Sequence, residues 1–439
     1  MREARPRAAA WIGALALGCA ACGNATVPDL PPHDPIEVPD PEQVDAVLFL
    51  IGDGGATVEG RSPTLVALRR DVEEWSEALA RDSAVSVIYP GDIVYPVGLR
   101  DRDHPDFETD SVRLWNQIDL VRGPAALEHA TLGLFLAGNH DWGNARGDAG
   151  LARIRNLEAA LVRARTAGPR VALLPEAGSP GPVIRDLREN VRIMLVDTHW
   201  FLQPQPEREM DAFFEALAEG LTSAGDRHVI MVQHHPYRSA GPHDALLPGS
   251  SAFGIQFLLK KTGTLVQDLD SPVYDQFRRR LRATFRETGR PPLIFAGGHD
   301  HSLQVLEGLG PDDPGVSVVS GAGSKLTPIT DAGGMLYGAS RPGYVALFFG
   351  SDDSVALYVI AGDPDRLSCS GITMGEAAEQ ECMRAGVDSL RVRWSSLLVE
   401  GTSAPPAPAD TLAPRTPWWS GPLTPPGDTL ADGAGEIER

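Results

Sequence analysis

The stretch VDAVLFLIGDGG, residues 44–55, joins an apolar run to Asp53 in a glycine-rich turn. Apolar runs of this length are typical of buried strands, so the aspartate is expected just beyond a strand end. The arrangement returns four times further along the chain, where apolar runs precede GDIVY (91–95), GNHDW (138–142), QHHP (233–236) and GHDH (298–301). A single tripeptide of this kind is common by chance. Five in this order predict one site assembled from five strand ends.

The chain from residue 44 onward alternates short apolar runs with segments whose apolar residues recur every three or four positions. This alternation predicts an α/β fold, a four-layer α/β/β/α sandwich with mixed β-sheets at its centre and helices outside. The predicted strands are 46–51, 85–89, 131–136, 191–196, 228–232 and 292–296, and the predicted helices are 63–81, 111–121, 150–167, 207–222 and 273–288. Three later runs, 316–320, 344–349 and 355–360, have no helix between them and are predicted to be antiparallel strands.

The five motifs contain the donor types that hold two metal ions side by side. Carboxylates are hard oxygen ligands that can bridge two cations, and imidazole suits iron, zinc and manganese. The phenol of Tyr95 is unusual, because it ionises near pH 10 when free and therefore calls for a strongly acidic cation such as Fe(III). The seven predicted ligands are Asp53, Asp92, Tyr95, Asn139, His234, His299 and His301.

Three of the motifs, extended to GDIVYPVG (91–98), GNHDWGN (138–144) and GHDHSLQ (298–304), resemble a known family. They are similar to signatures of the calcineurin-like metallophosphoesterases, and within these of the small, tartrate-resistant type of purple acid phosphatase. The resemblance covers about residues 45–360 and implies the metallophosphoesterase sandwich. It also implies a binuclear Fe(III)–M(II) centre, in which M is Fe(II), Zn(II) or Mn(II), and a metal-bound hydroxide as the nucleophile.

The resemblance also implies a role for each position. The Fe(III) site would use Asp53, Asp92, Tyr95 and His301, and the second site would use Asn139, His234 and His299, with Asp92 bridging. Two catalytic histidines are implied: His140 beside the substrate phosphate, and His243, nine residues after His234. The chain departs from the family at Gly54, where tryptophan is usual, and at His235, where the small type tends to carry tyrosine. We assign His235 no catalytic role on the sequence.

The net charge of −20 argues against nucleic acid as a main partner, because no basic stripe is present to neutralise a phosphate backbone. A small phosphate ester is compatible with this charge, since bound cations dominate the local field. The sequence therefore predicts a metallophosphoesterase that hydrolyses phosphomonoesters, in the manner of an acid phosphatase. Two alternatives stay open: a phosphodiesterase or nucleotide hydrolase on the same scaffold, and a non-catalytic envelope protein that binds metal or phosphate.

The amino-terminal segment is typical of an export signal, with arginines at positions 2, 5 and 7 before an apolar stretch, 8–17. Residues 1–27 are predicted to be a signal or lipoprotein peptide, with Cys19 as the lipidated residue and Cys22 as a competitor. Residues 28–43 are proline-rich and are predicted to form a linker. The expected location is the cell envelope, either as a lipoprotein tethered to a membrane or as a periplasmic or secreted protein.

The remaining boundaries follow from composition. Residues 44–364 are predicted to form the metallophosphoesterase domain, 365–400 a C-terminal extension and 401–439 a disordered proline-rich tail. Cys369 and Cys382 are close in sequence, and in an exported protein we expect them to form a disulfide, with two partly buried thiols as the alternative.

Overall fold

The computed structural model describes residues 35–57, 62–80, 84–122, 131–145, 147–244, 269, 271–367, 369 and 376–401. Fourteen strands are present in this part of the chain: β1 (Val44–Leu50), β2 (Val85–Tyr89), β3 (Thr131–Phe135), β4 (Val171–Leu173), β5 (Val183–Arg188), β6 (Val191–Val196), β7 (His228–Gln233), β8 (Ile294–Gly297), β9 (Leu303–Glu307), β10 (Val316–Ser320), β11 (Met335–Ala339), β12 (Gly343–Gly350), β13 (Val355–Ala361) and β14 (Arg391–Val399). The helices are α1 (Pro63–Leu79), α2 (Phe107–Ile118), α3 (Gly147–Thr166), α4 (Thr198–Phe201), α5 (Glu207–Thr222), α6 (Pro272–Thr288) and α7 (Glu376–Ser389).

The strands form two sheets of seven, and each sheet is mixed. The first has the order β14-β13-β12-β1-β2-β3-β4, and the second β11-β9-β10-β8-β7-β6-β5. The strands β1 to β4 are parallel, as are β6, β7, β8 and β10, while the outer strands are antiparallel. The carboxyl ends of the parallel strands therefore gather at one edge of each sheet, where loops can supply ligands.

Strand β1 illustrates how the layers form. Its alternate residues Val47 and Phe49 face α1 in one hydrophobic cluster, while Leu48 and Leu50 join side chains of the second sheet such as Ile193 in another. A third cluster packs the outer face of the second sheet against α5 and α6. Because side chains alternate between the faces of a strand, one apolar run serves two cores. The predicted four-layer α/β/β/α sandwich with mixed sheets is confirmed.

Local signals set the helix boundaries. The hydroxyl of Ser62 accepts a hydrogen bond from the N–H of Leu65, and Pro63 occupies the first turn, so α1 begins where the sequence predicts. Helix α6 has the same start, with Ser271 as the cap and Pro272 next, and it ends at Gly289 with a φ of 65°. All five predicted helices are present with boundaries within four residues.

The later strands differ from the prediction. The pair β12–β13 is antiparallel, as predicted, but β10 runs parallel to β8 and antiparallel to β9. Strand β9, which directly follows the GHDH motif, runs back along the sheet and pairs with β10 on the side away from β8. Strand β10 can therefore run parallel to β8. The sequence also gave no indication of β4, β5, β9, β11 or β14.

The described residues of the segment 365–400 pack closely with the rest of the fold. Strand β14 extends the first sheet by pairing with β13, and α7 lies against α1, with Gly386 beside Pro63. A disulfide joins Cys369 to Cys382, as expected. Residues 35–40, within the predicted linker, follow the same sheet edge, since the N–H of Ile36 donates to Ser395 Oγ at 2.7 Å.

The predicted signal peptide with Cys19 and Cys22, and the predicted tail from residue 402 onward, lie outside the described residues. None of the helices in the described part of the chain has the length and apolar content that a bilayer crossing requires.

Candidate metal centre

The predicted ligands lie together on the loops that follow five parallel strands. Those after β1, β2 and β3 contribute Asp53, Asp92 and Asn139 from the first sheet, and those after β7 and β8 contribute His234 and His299 from the second. All five are almost completely buried, at 0–3% exposure. The site therefore forms at the seam between the two sheets.

One group of donors surrounds the phenol of Tyr95. Its hydroxyl lies 3.0 Å from Asp53 Oδ1, 2.7 Å from Asp92 Oδ2 and 3.1 Å from His301 Nε2. Two carboxylates, one imidazole and one phenol thus converge on one point. This is the hard, anionic set that a strongly acidic cation such as Fe(III) prefers, so the donors fit the predicted metal.

A second group surrounds the amide oxygen of Asn139. Its Oδ1 lies 2.8 Å from His234 Nε2 and 3.1 Å from His299 Nδ1, and these two nitrogens are 3.2 Å apart. The other carboxylate oxygen of Asp92, Oδ1, is 3.5 Å from His234 Nε2. Asp92 therefore faces both groups, as a bridging ligand must.

Hydrogen bonds set the tautomer of His234. Its Nδ1 lies 2.9 Å from the main-chain oxygen of Pro90, and a carbonyl can only accept. Nδ1 therefore carries the hydrogen, and the lone pair of Nε2 lies on the same side as the oxygens of Asn139 and Asp92, where all three could ligate one cation. A metal-ligating histidine commonly donates its other ring N–H in this way.

The electrostatics suit ligands for cations. Burial, followed by the charges of Asp53 and Asp92, raises the pKa of Tyr95 well above its usual value, so a tyrosinate here requires a strongly acidic cation. Burial and the surrounding histidines lower the pKa of His299 well below its usual value, which keeps this imidazole neutral and able to ligate. For His234, burial lowers the pKa but the carboxylates of Asp92 and Asp53 outweigh it, and the net shift is upward.

Backbone geometry brings the two sides of the site close. Asp53, Asp92 and His299 have φ values of 58°, 56° and 69°, in the left-handed region that costs an L-residue energy. The glycines before Asn139 and His299 make room for the carboxylates. A Cβ at Gly138 would collide with Asp92, and one at Gly298 would collide with Asp53.

The two predicted catalytic histidines border this centre. His140 donates its main-chain N–H to Asp92 Oδ1 at 2.9 Å, and its Nδ1 lies 2.6 Å from Pro96 O. Its side chain is 25% exposed, and Nε2 is 4.0 Å from Asp92 Oδ2. The ring of His243 lies 4.2 Å from that of His299. The structure thus brings all nine predicted site residues together, while their roles as ligands and catalysts stay predictions.

Sequence reasoning missed Lys325. Its Nζ lies 3.3 Å above the ring of Tyr95, close enough to Asp92 and Asp53 to interact with their charges. The preceding residue, Ser324, holds this loop in place by donating to Asp53 O and accepting from Ala56 N at 3.0 Å. One signal was available, because Lys325 follows the end of β10 and is the only lysine among the described residues.

The glycine at position 54 does not leave a gap. A Cβ there would meet Gln117 Oε1 at 3.0 Å, and Gly54 is itself buried. The amide of Gln117 thus fills the space beside Gly54 into which a side chain at this position would begin.

Comparison with known proteins finds likeness in structure rather than sequence. No protein-family model matches the chain, and no curated protein sequence does. Solved structures similar to it include GAP50, the anchor in the inner membrane complex of Plasmodium, with 13% identity, a TM-score of 0.47 and coverage of 78% of this chain and 95% of the other. Purple acid phosphatase PPD1 from yellow lupin (Lupinus luteus) seeds is also similar, with 13% identity, a TM-score of 0.46 and coverage of 72% of this chain and 51% of the other. PhoD has 13% identity, a TM-score of 0.45 and coverage of 72% of this chain and 66% of the other.

This chain thus spans about half of the lupin enzyme. Likeness at this level concerns the fold alone. The α/β/β/α sandwich predicted from the sequence is confirmed by the two mixed sheets and the helical layers outside them, and every motif lies at a strand end.

Proposed function

We propose that this protein is a phosphomonoester hydrolase that uses a binuclear Fe(III)–M(II) centre. The observation that carries the proposal is the position of Asp92. Its carboxylate meets the phenol of Tyr95 on one side, at 2.7 Å, and His234 Nε2 on the other, at 3.5 Å. Two donor groups of different chemistry, one anionic and one mainly imidazole, therefore share one carboxylate, which could bridge two cations.

The side chains divide the work between them. Asp53, Asp92, Tyr95 and His301 would hold the more acidic cation, and Asn139, His234 and His299 the second. When bound, the two cations would activate a water molecule for attack on phosphorus and neutralise the charge that develops on the phosphoryl oxygens.

His140 would act on the leaving group. Pro96 O fixes the ring by accepting from Nδ1, which leaves Nε2 on the side of Asp92 and within reach of solvent. In the imidazolium form, which carries a hydrogen on both ring nitrogens, Nε2 can donate its proton to the departing alcohol oxygen as a general acid, which leaves the neutral ring with its hydrogen on Nδ1. His243, next to His299 on the other side, would bind the same phosphoryl group.

The deciding measurement is the metal content and visible absorption of the purified protein, together with turnover of an aryl phosphate. We expect two metals per chain and an absorption band that is lost in Tyr95→Phe. Tyr237→Phe is the matched control, because Tyr237 is also buried and its hydroxyl donates to Asp313 at 2.8 Å. Colourless protein with two metals and turnover would refute the Fe(III)–tyrosinate site. Protein without metal or turnover after reconstitution would refute the hydrolase.

The catalytic histidines need a separate test. We expect His140→Ala to lower kcat by about 10²- to 10⁴-fold with metal content unchanged, while the exposed His104→Ala has no effect. Turnover of an aryl monoester should exceed that of the corresponding bis-aryl diester. A preference for the diester would favour a phosphodiesterase on the same scaffold instead.

We also propose export to the cell envelope with a lipid on Cys19 as a membrane tether. The support is the basic and then apolar composition of the first 17 residues. Labelling with a radioactive fatty acid tests this proposal. Loss of label in Cys19→Ala, but not in Cys22→Ala, is expected, and label that persists in Cys19→Ala would refute it.

A further inference from the structure

His235 lies next to the second donor group, although the sequence assigns it no role. It is completely buried, and its ring is fixed by one residue. The hydroxyl oxygen of Thr198 lies 2.7 Å from His235 Nδ1 and 3.1 Å from its main-chain N. The other ring nitrogen, Nε2, has no hydrogen-bond partner among the described residues. A buried polar atom without a partner is costly, so this nitrogen requires an explanation.

The surroundings of the ring supply that explanation. The centroid of His235 lies 4.9 Å from that of His234 and 4.4 Å from that of His299. Each of the three residues offers a ring nitrogen, and these nitrogens all lie within 4.8 Å of one another. When Nδ1 donates its hydrogen to Thr198, Nε2 keeps a free lone pair, as in a metal-ligating imidazole.

We propose that His235 is a third imidazole ligand of the second metal position, beside His234, His299 and the amide oxygen of Asn139. Thr198 would act as its positioning residue by holding Nδ1. This inference rests on the proposed binuclear centre and goes beyond the ligands that the motifs imply. Three imidazoles make the second position rich in nitrogen, which favours Zn(II) or Fe(II) over Mn(II).

The test is Zn(II) affinity, measured by competition with a chromophoric chelator on the full chain. His235→Tyr places a phenol, the side chain that the small-type family tends to carry, where the ring nitrogen was. We expect the second Zn(II) to bind about 10- to 100-fold more weakly, with the first unchanged. His199→Phe is the control, because its ring lies 6.5 Å from that of His235 and outside the group of three. It should leave both affinities as they are.

Two further variants guard against a folding defect. His235→Phe should repeat the loss, and Thr198→Val should weaken the second Zn(II) by about 10-fold, because it removes only the positioning hydroxyl. Co(II) introduced at the second position should change its visible spectrum in His235→Tyr. Unchanged second-site affinity in folded His235→Tyr and His235→Phe would overturn the role of His235. Wild-type protein that binds fewer than two cations would instead overturn the proposed centre itself.

Discussion

The carboxylate of Asp141 accepts a hydrogen bond from the main-chain N–H of Val94 at 2.9 Å. The same carboxylate accepts from the N–H groups of Ile93 and Gly138, also at 2.9 Å. A buried side chain of the third motif therefore holds the loop of the second motif, from which Asp92 and Tyr95 project. We therefore expect the positions of the two motifs to be coupled.

Asp141→Asn tests this coupling. The amide would turn an NH₂ group toward one or more N–H donors, so we expect the free energy of unfolding to fall by about 2 kcal/mol. Metal affinity should fall by about 10- to 100-fold, because the ligands lose their support. Urea denaturation and metal competition measure the two effects. Asp148→Asn, at an exposed position nearby, is the control, and an Asp141→Asn protein that matches it in both assays would contradict the coupling.

Lys325→Met removes a cation from the face of Tyr95. We expect KM for an aryl phosphate to rise about 10-fold, which corresponds to about 1.4 kcal/mol of lost binding. A tyrosinate–Fe(III) band should move to longer wavelength, since a nearby positive charge stabilises the phenolate. Lys325→Arg keeps the charge and should retain most of both properties. Equal KM values and equal band positions in Lys325→Met and wild type would show that the amine serves neither substrate nor metal.

Asp197 predicts a pH dependence of stability. Burial raises its pKa to about 7, despite hydrogen bonds from Trp142 Nε1 and two main-chain N–H groups. An unfolded aspartate has a pKa of about 3.9, so between pH 4 and 7 only the folded state keeps the proton. This group therefore stabilises the fold increasingly as pH falls through that window, by at most about 1.4 kcal/mol per pH unit.

Asp197→Asn removes this titration. We expect the unfolding free energy of wild type, minus that of the variant, to increase as pH is lowered from 8 to 5. Urea denaturation at each pH measures this difference. Asp103→Asn removes an exposed carboxylate and should differ from wild type by a constant amount. A constant difference for Asp197→Asn as well would show that its carboxylate does not titrate in this range.

The disulfide predicts an effect on stability alone. Cys369 and Cys382 close a loop of 13 residues, and in the chain-entropy model this constraint contributes about 3 kcal/mol. The double variant Cys369→Ala, Cys382→Ala should unfold more easily by about that amount. Its kcat/KM should match wild type at temperatures where both are folded, because α7 packs on the outer helical layer. Lower turnover by the folded variant would link this layer to the centre.

The sequence predicts the positions of the proposed ligands at strand ends better than it predicts the sheet edges. Asp53 and His234 could be found because a buried, apolar strand precedes each, and the strand end fixes the position of the side chain. Strand β4 has only three residues, and β14 (RVRWSSLLV) mixes polar and apolar residues at a half-exposed edge. Neither carries a strong periodic signal, and both are strands because a neighbouring strand pairs with them.

Lys325 and His235 were missed for a different reason. Lys325 lies outside the five motifs, and His235, although it follows His234 in QHHP, stands where the small type tends to carry tyrosine, so neither residue was assigned a role. Their proximity to the centre is set by contacts over long separations. Ser324 is attached to Asp53 and thereby brings Lys325 over Tyr95. Thr198, the first residue of α4, holds the ring of His235 through its hydroxyl. Such placements follow from packing between elements, which no local pattern encodes.

Because the proposed ligands are divided between the two sheets, the order of chain synthesis limits when a cation can bind. Each donor group needs both halves of the chain: His301 completes the group around Tyr95, and His234 and His299 complete the group around Asn139. A nascent chain that ends after the GNHDW motif holds the oxygen donors and none of these imidazoles. The two proposed metal positions therefore cannot be complete before residues 299 and 301 are made and the two sheets have come together, so we expect cation binding to be a late step of folding.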